Sequence, residues 1–509
     1  MKKQLIVLSA AAMVAAAAVP ALAFENEFHG MYRLRANVTN FQEAGLAGIE
    51  GRQATAAVAA VPANPASNPI VVGSAAVPAT YYKKNGALLS NDERTFTTFE
   101  QRARIQYIAK ASDELRLVTF FEIDSSWGDS AYSNGRGAGA GAGADSVNIE
   151  TKNVYLDFKI PSTPVQMKVG LQPWSDAYKG IIFNNDLAGA HAAAKLDALT
   201  LSGAFFRTYD EGGATTLGKK NVDLYVLDGK FALNKDTTLG ASYYLVNNDN
   251  TSRSAAAFPA TGTLLVGNEN AQTHTFGLNA AAKLGIVGLD GFVLYQTGDA
   301  LYDFQNTTGK TKDLSAWAAQ IAANANLGMA TVRGAFLYTS GDDRSDADES
   351  NAFQVVQENV NTANPATFSG QGGNYYSSNM LLLFRNVVNT DSDQAIVANF
   401  NNGNHGVMAA VLGADFKIND KFSIVANAGA AWNDQKQYTA AGKEEEAFLG
   451  TEVNLNLNYK LYPNLTATLQ GAYFMLGDYF DDTVQTAGAA PTDDPKDPYL
   501  AGLMLNYTF

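Results

Sequence analysis

The sequence predicts an all-β chain closed into an antiparallel transmembrane β-barrel of about 18 strands, or 16 if the weakest stretches drop out. Three observations predict it. Apolar and polar residues alternate with period two along most of the chain, connectors alternate between short and long, and no later segment offers the ~20 apolar residues of a membrane helix. Over 451–461 the alternation is cleanest: Thr451, Val453, Leu455, Leu457, Tyr459 and Leu461 share one face, opposite Glu452, Asn454, Asn456, Asn458 and Lys460. Such a strand separates an apolar medium from a wet one.

In chain order, Lys2 and Lys3 precede an apolar run from Leu5 to Val19, then Pro20 and Ala21-Leu22-Ala23. This pattern predicts a cleaved secretory signal over 1–23 and a single barrel domain over 24–509. The first strand alternates Phe28, Tyr32, Leu34, Ala36 and Val38 with His29, Arg33, Arg35 and Asn37. Apolar faces then follow at Phe99/Ile105/Tyr107, Leu115/Leu117/Phe121/Ile123, Val154/Leu156/Phe158 and Val165/Met167/Val169/Leu171. Next come Leu199/Leu201/Phe205, Leu239/Ala241/Tyr243/Leu245, Phe276/Leu278/Ala280/Leu284, Trp317/Ala319/Ile321 and Val332/Phe336/Tyr338. Met408/Ala410/Leu412/Phe416, Phe422/Ile424/Trp432, Leu465/Leu469/Tyr473 and Tyr499/Leu503/Leu505/Tyr507 complete the series. Weaker stretches over 189–196, 222–233 and 289–298 have small residues or an ambiguous phase.

Short connectors are expected at the periplasmic end and long ones outside, with the longest near 40–94 and 341–405. Only a closed sheet satisfies every strand edge in hydrocarbon, and a barrel this wide encloses water. Tyr107, Tyr243, Tyr338, Trp432, Tyr459 and Tyr507 fit aromatic girdles.

Composition excludes several functions. With no Cys, the chain can hold no disulfide, thiolate metal site, Fe–S cluster or c-type haem. A net charge of −14 argues against a nucleic-acid partner. The four histidines, at 29, 191, 274 and 405, lack ligand spacing, so neither a metal site nor a cofactor is expected. Gly135–Ala144 lacks the lysine and the strand-to-helix context of a phosphate loop and reads as an external loop. The low-complexity stretch 54–79 and the acidic run Asp342–Glu349 read likewise as loops. No Ser/His/Asp grouping can be placed on shared faces, so no enzyme activity is expected.

The chain resembles bacterial outer-membrane porins. The resemblance rests on the signal segment, Glu100-Gln101-Arg102-Ala103-Arg104-Ile105, Phe121-Glu122-Ile123-Asp124 with Trp127-Gly128, and the closing Leu503-Met504-Leu505-Asn506-Tyr507-Thr508-Phe509. It implies that Tyr507 and Phe509 address the chain to the barrel assembly machinery. It also implies an outer-membrane location among lipid and lipopolysaccharide, with assembly as a homotrimer left open. Such porins often fold the third external loop inward. Here that connector, about 173–188, is short, so 40–94 or 341–405 is expected to narrow the pore instead.

Charge concentrates on the predicted lumen face of the first three strands: Arg33 and Arg35; Glu100, Arg102 and Arg104; Arg116, Glu122 and Asp124. With strands ~4.8 Å apart, these residues form a basic cluster flanked by carboxylates. Two readings stay open: a lining that sets ion selectivity, or paired charges that brace the wall. The leading expectation is a water-filled channel for passive diffusion of small hydrophilic solutes and ions. The alternatives are a substrate-specific channel, with Phe120, Tyr155 and Tyr244 turned inward, and a structural or adhesin barrel, or a sheath for an exported electron carrier. A plugged receptor is disfavoured because the first strand leaves no room for a plug.

Overall fold

In the computed structural model, the described residues are 25–41, 95–128, 140–143, 149–210, 221–249, 270–300, 311–343, 345–346, 348–356, 379–384, 395–397, 399–436, 444, 446–481 and 494–509. The expected signal segment, the 54–79 stretch, most of Gly135–Ala144 and the bulk of 40–94 lie outside them. The strands are β1 Glu25–Thr39, β2 Phe96–Ser112, β3 Leu115–Ser126, β4 Glu150–Lys159, β5 Val165–Ser175 and β6 Asn184–Leu196. They continue as β7 Leu199–Asp210, β8 Asn221–Asn234, β9 Thr237–Asn248, β10 Ala271–Leu284, β11 Val287–Asp299 and β12 Asp313–Asn326. After β13 Ala330–Thr339 and β14 Glu349–Ser350 come β15 Val407–Lys417, β16 Phe422–Trp432, β17 Phe448–Tyr462, β18 Leu465–Leu476 and β19 Tyr499–Thr508.

Eighteen of these strands form the wall, each antiparallel to its chain neighbours. The two-residue β14 is additional: it runs parallel to the start of β12, and β13 pairs directly with β15. All three weak sequence stretches fall within wall strands: β6, β8 and β11. The sheet closes where β1 meets β19, with Tyr32 opposite Tyr507 and Leu34 opposite Leu505. Gly30 and Phe509 exchange both backbone hydrogen bonds, at 2.8 and 3.0 Å. A Cβ on Gly30 would lie 2.4 Å from the Arg104 carbonyl oxygen and 2.5 Å from the Phe509 ring, so this position requires glycine for close approach.

The exterior keeps its apolar residues exposed. Leu278, Ile321 and Leu412 are 60%, 66% and 69% accessible, values at odds with an aqueous surroundings for a whole belt. No helix among the described residues is long and apolar enough to cross a membrane.

The interior departs from the expected polar lining. Val222, Leu224 and Val226 of β8, Phe292 and Leu294 of β11, and Leu314, Ala316 and Ala318 of β12 point inward and are buried. This explains the ambiguous phase of 222–233: both faces of β8 are apolar there, with Tyr225 and Leu227 outside. What covers the inner face is chain from the connectors. Tyr178, Ile181, Ile182 and Phe183 from the β5–β6 connector join Phe353, Val355, Val356, Leu381–Phe384, Ile396, Val397 and Phe400 in one internal core.

The expectation for the third connector is therefore corrected. Short as it is, 176–183 folds inward, because four of its eight residues are large and apolar and find no other cover. The described parts of 341–405 do fold inward as well, and the two segments meet where the Val356 N–H donates to the Ile182 carbonyl at 3.1 Å.

Candidate functional site

The barrel register places the predicted charges side by side. Arg35 lies opposite Glu100, Arg33 opposite Arg102, Arg102 opposite Asp124, and Arg104 opposite Glu122. Arg102 grips Asp124 through two bonds, Nε to Oδ1 at 2.6 Å and Nη2 to Oδ2 at 2.5 Å, the planar fork that suits a carboxylate. Its Nε also stands 3.4 Å from Glu122, which Arg104 binds from two positions further along β2.

Burial divides these groups. Arg35, Glu100, Arg102, Glu122 and Asp124 are all less than a tenth accessible. The Arg104 and Arg116 side chains keep 26% and 47%. Arg116 stands apart from the Arg102 cluster, pairing instead with Asp157 of β4 at 2.6 Å.

That pair belongs to a longer row. Lys110, Arg116, Asp157, Lys168 and His191 are successive cross-strand neighbours on β2 to β6. Lys168 sits 5.6 Å above the Tyr155 ring, a distance suited to cation–π attraction. Because hydrogen-bonded rows in a tilted barrel climb along the axis, this row rises from near the short-turn end. Across the lumen, Arg333 of β13 binds Asp415 and Asn427. Asn427 in turn donates to Asn454 at 2.7 Å.

Two buried carboxylates pin the inward segments, and neither was singled out by the sequence. Asp176, just beyond β5, accepts four backbone N–H groups: Tyr178 and Gly180 at 2.7 and 2.9 Å on one oxygen, Ile182 and Phe183 at 2.7 and 2.8 Å on the other. The turn that aims them uses Lys179 and Gly180 at φ +67° and +80°. Burial pushes the Asp176 carboxyl up to about 6, against the lowering effect of its four donors. Glu452 on β17 does the same for the second segment, accepting the N–H groups of Leu381, Leu382 and Leu383 at 2.7, 3.0 and 2.7 Å and the Asn454 amide at 2.7 Å. Such concave runs of N–H groups are anion cradles. Here the acceptor is the protein's own carboxylate, from the connector itself at Asp176 and from the wall at Glu452, so the segments are fastened by hydrogen bonds as well as by packing.

The connector also reaches the far wall. Lys179 pairs with Asp290 of β11 at 3.0 Å. Tyr178 packs edge-on against Tyr244 and Phe292 at 6.0 and 5.5 Å. Tyr155 and Tyr244 do point inward, as expected, but Tyr244 is buried in the internal core. Beneath the connector, toward the short turns, lies a cavity of about 580 Å³ lined by residues of β5 to β11 and of the connector itself. His191, at the end of the charged row, is one of its lining residues.

No family model matches the chain, and no curated protein matches it in sequence. Among solved structures it is similar to OccK9 (OpdG) of Pseudomonas aeruginosa, with 13% identity and a TM-score of 0.49 over 95% of this chain and 98% of the other. A BenF-like porin from Pseudomonas fluorescens Pf-5 gives 11% identity and 0.49 over 95% and 98%. OccAB4 of Acinetobacter baumannii gives 11% identity and 0.47 over 96% and 99%.

Proposed function

We propose that this protein is an outer-membrane porin, a water-filled route across the bilayer for small hydrophilic solutes and ions. The observation that carries the reading is the combination of a closed 18-stranded wall, an apolar exterior and a charged interior. A closed barrel satisfies its backbone in hydrocarbon, and inward charges are tolerated there only beside water or partners. Export by a cleaved signal over 1–23, delivery to the barrel assembly machinery through Tyr507 and Phe509, contact with lipopolysaccharide and assembly as a homotrimer belong to the same reading. The chain itself performs no chemistry.

The internal core narrows the lumen on the β6–β18 side, which leaves the wall of β1 to β5 as the polar side of the path. Of the eight charged residues, the dry ones (Arg35, Glu100, Arg102, Glu122 and Asp124) brace the wall, while Arg104 and Arg116 meet the permeating solution and set ion preference. The narrowing also favours selection among solutes over unrestricted flow. Planar-bilayer recordings test this. Wild type conducts, and Arg104→Ala with Arg116→Ala moves the reversal potential in a salt gradient toward cation preference. An unchanged potential rejects the lining role, and a purified protein that never conducts rejects the channel.

A further inference from the structure

The cavity under the 176–183 connector is built from both charge signs in equal number. Lys179 and Lys230 are matched by Asp228 and Asp290, and Lys179 already sits 3.0 Å from Asp290. An ion entering it would meet no net charge of opposite sign, unlike on the arginine-rich wall of β1 to β3. The remaining polar lining is mostly hydroxyl and amide: Ser202, Ser242 and Asn279 on three different strands converge on one space. Asp228 lies directly opposite Ser242 in register, and its Oδ1 accepts the Tyr244 hydroxyl at 2.9 Å, which fixes the carboxylate at the cavity edge. Trp174 lines the same space. Its ring is held by Phe206, Phe183 and Tyr244 at 5.4, 5.8 and 5.8 Å, so it stands in a fixed orientation.

We propose that this cavity is a binding site for a small, net-neutral, polyhydroxylated solute of the sugar or polyol class. Hydroxyl groups donate and accept at once, so they need acceptors such as Asp228 interleaved with donors such as Lys230 and with groups of both kinds such as Asn279. An aromatic wall supplies the apolar contact that C–H faces of such solutes require. The size lies within the range of small-molecule sites. The proposal rests on the channel reading for the solute's arrival, the cavity being a stop on the route, but binding itself is measurable without flux.

Trp174 provides the readout, since of the four tryptophans it alone lines the cavity; Trp127 and Trp317 are exposed on the outer face and Trp432 lies on β16, away from it. Purified full-length protein in detergent is titrated with sucrose or sorbitol while tryptophan emission is followed. Glycine and succinate serve as zwitterionic and anionic comparators. The expected result is a saturable change with the sugar or polyol that disappears in Trp174→Phe. The half-saturating concentration rises about tenfold in Asp228→Asn, the loss of one charge-assisted hydrogen bond. Ser242→Ala, which removes the opposing hydroxyl, raises it as well, and heat-modifiable electrophoretic mobility confirms that each variant is folded. A response that never saturates, half-saturation unchanged in both folded variants, or saturation by glycine or succinate instead overturns the proposal. Conductance without binding refutes this site alone; binding without conductance refutes the channel reading and leaves the site.

Discussion

Removing the Asp176 carboxylate is the sharpest test of how the lumen is narrowed. Asp176→Ala leaves four buried backbone N–H groups without their acceptor. An orphaned buried donor costs about 1–3 kcal/mol, so the segment loses roughly 4–12 kcal/mol if it stays in place. Holding it there are four fully buried side chains, Tyr178, Ile181, Ile182 and Phe183. At about 1.5–3 kcal/mol each, they contribute roughly 6–12 kcal/mol. The two ranges overlap, so the variant populates a released connector that the wild type does not. Trypsin added to the folded barrel reads this out, since release presents the bond after Lys179. The variant is cleaved there, while wild type and a Lys179→Gln control of the variant resist. The acid side carries a sign as well. Because the folded carboxyl titrates near 6 rather than 3.8, protonation favours the packed state. That extra stability is complete below about pH 4 and is lost as pH rises through 6, amounting to about 3 kcal/mol for a shift of roughly two units. Wild-type protection at Lys179, followed with a protease active across the range, is therefore greater at pH 4 than at pH 7. Asp176→Ala as resistant as wild type at neutral pH, or protection that weakens on acidification, would refute the carboxylate as the fastening.

Two further outcomes follow from the same geometry. Glu452→Ala orphans the three N–H groups of Leu381 to Leu383 and raises amide hydrogen exchange at 381–383, while the wall strands β16 and β17 keep their protection. Gly30→Val places a side chain against the Arg104 carbonyl and the Phe509 ring at the closing seam, and such overpacking costs about 1–3 kcal/mol. Its signature is a lower temperature for loss of heat-resistant electrophoretic mobility, with a smaller shift for Gly471→Ala, where an added Cβ meets only the Leu500 carbonyl oxygen at 3.8 Å.

The fold was legible because strand formation in a barrel is written locally. In 451–461 each residue's neighbour two positions away shares its surroundings, so the chain states its own period and phase. The lumen charges were legible for the same reason: Arg102 and Arg104 alternate with Ala103 and Ile105, and their inward direction follows. Their pairing needed the register. That Arg102 meets Asp124 while Arg116 meets Asp157 depends on how β2, β3 and β4 slide against one another, including a shift between Phe120 and Phe121. A signal for the inward connector did exist, since Ile181-Ile182-Phe183 is too apolar for an exposed loop, yet its length argued the other way.

By itself, then, the sequence determined the strands, their outward faces and the long-short order of the connectors, because alternation and turn spacing are properties of adjacent residues. The tertiary structure alone decided which connectors enter the lumen and what fastens them. Asp176 and Glu452 act on backbone groups up to 71 positions away, and the Val356–Ile182 bond joins two connectors far apart in the chain. Contacts of that kind carry no local period. They exist because a closed barrel offers a single buried space, and the apolar residues of distant connectors have nowhere else to leave water.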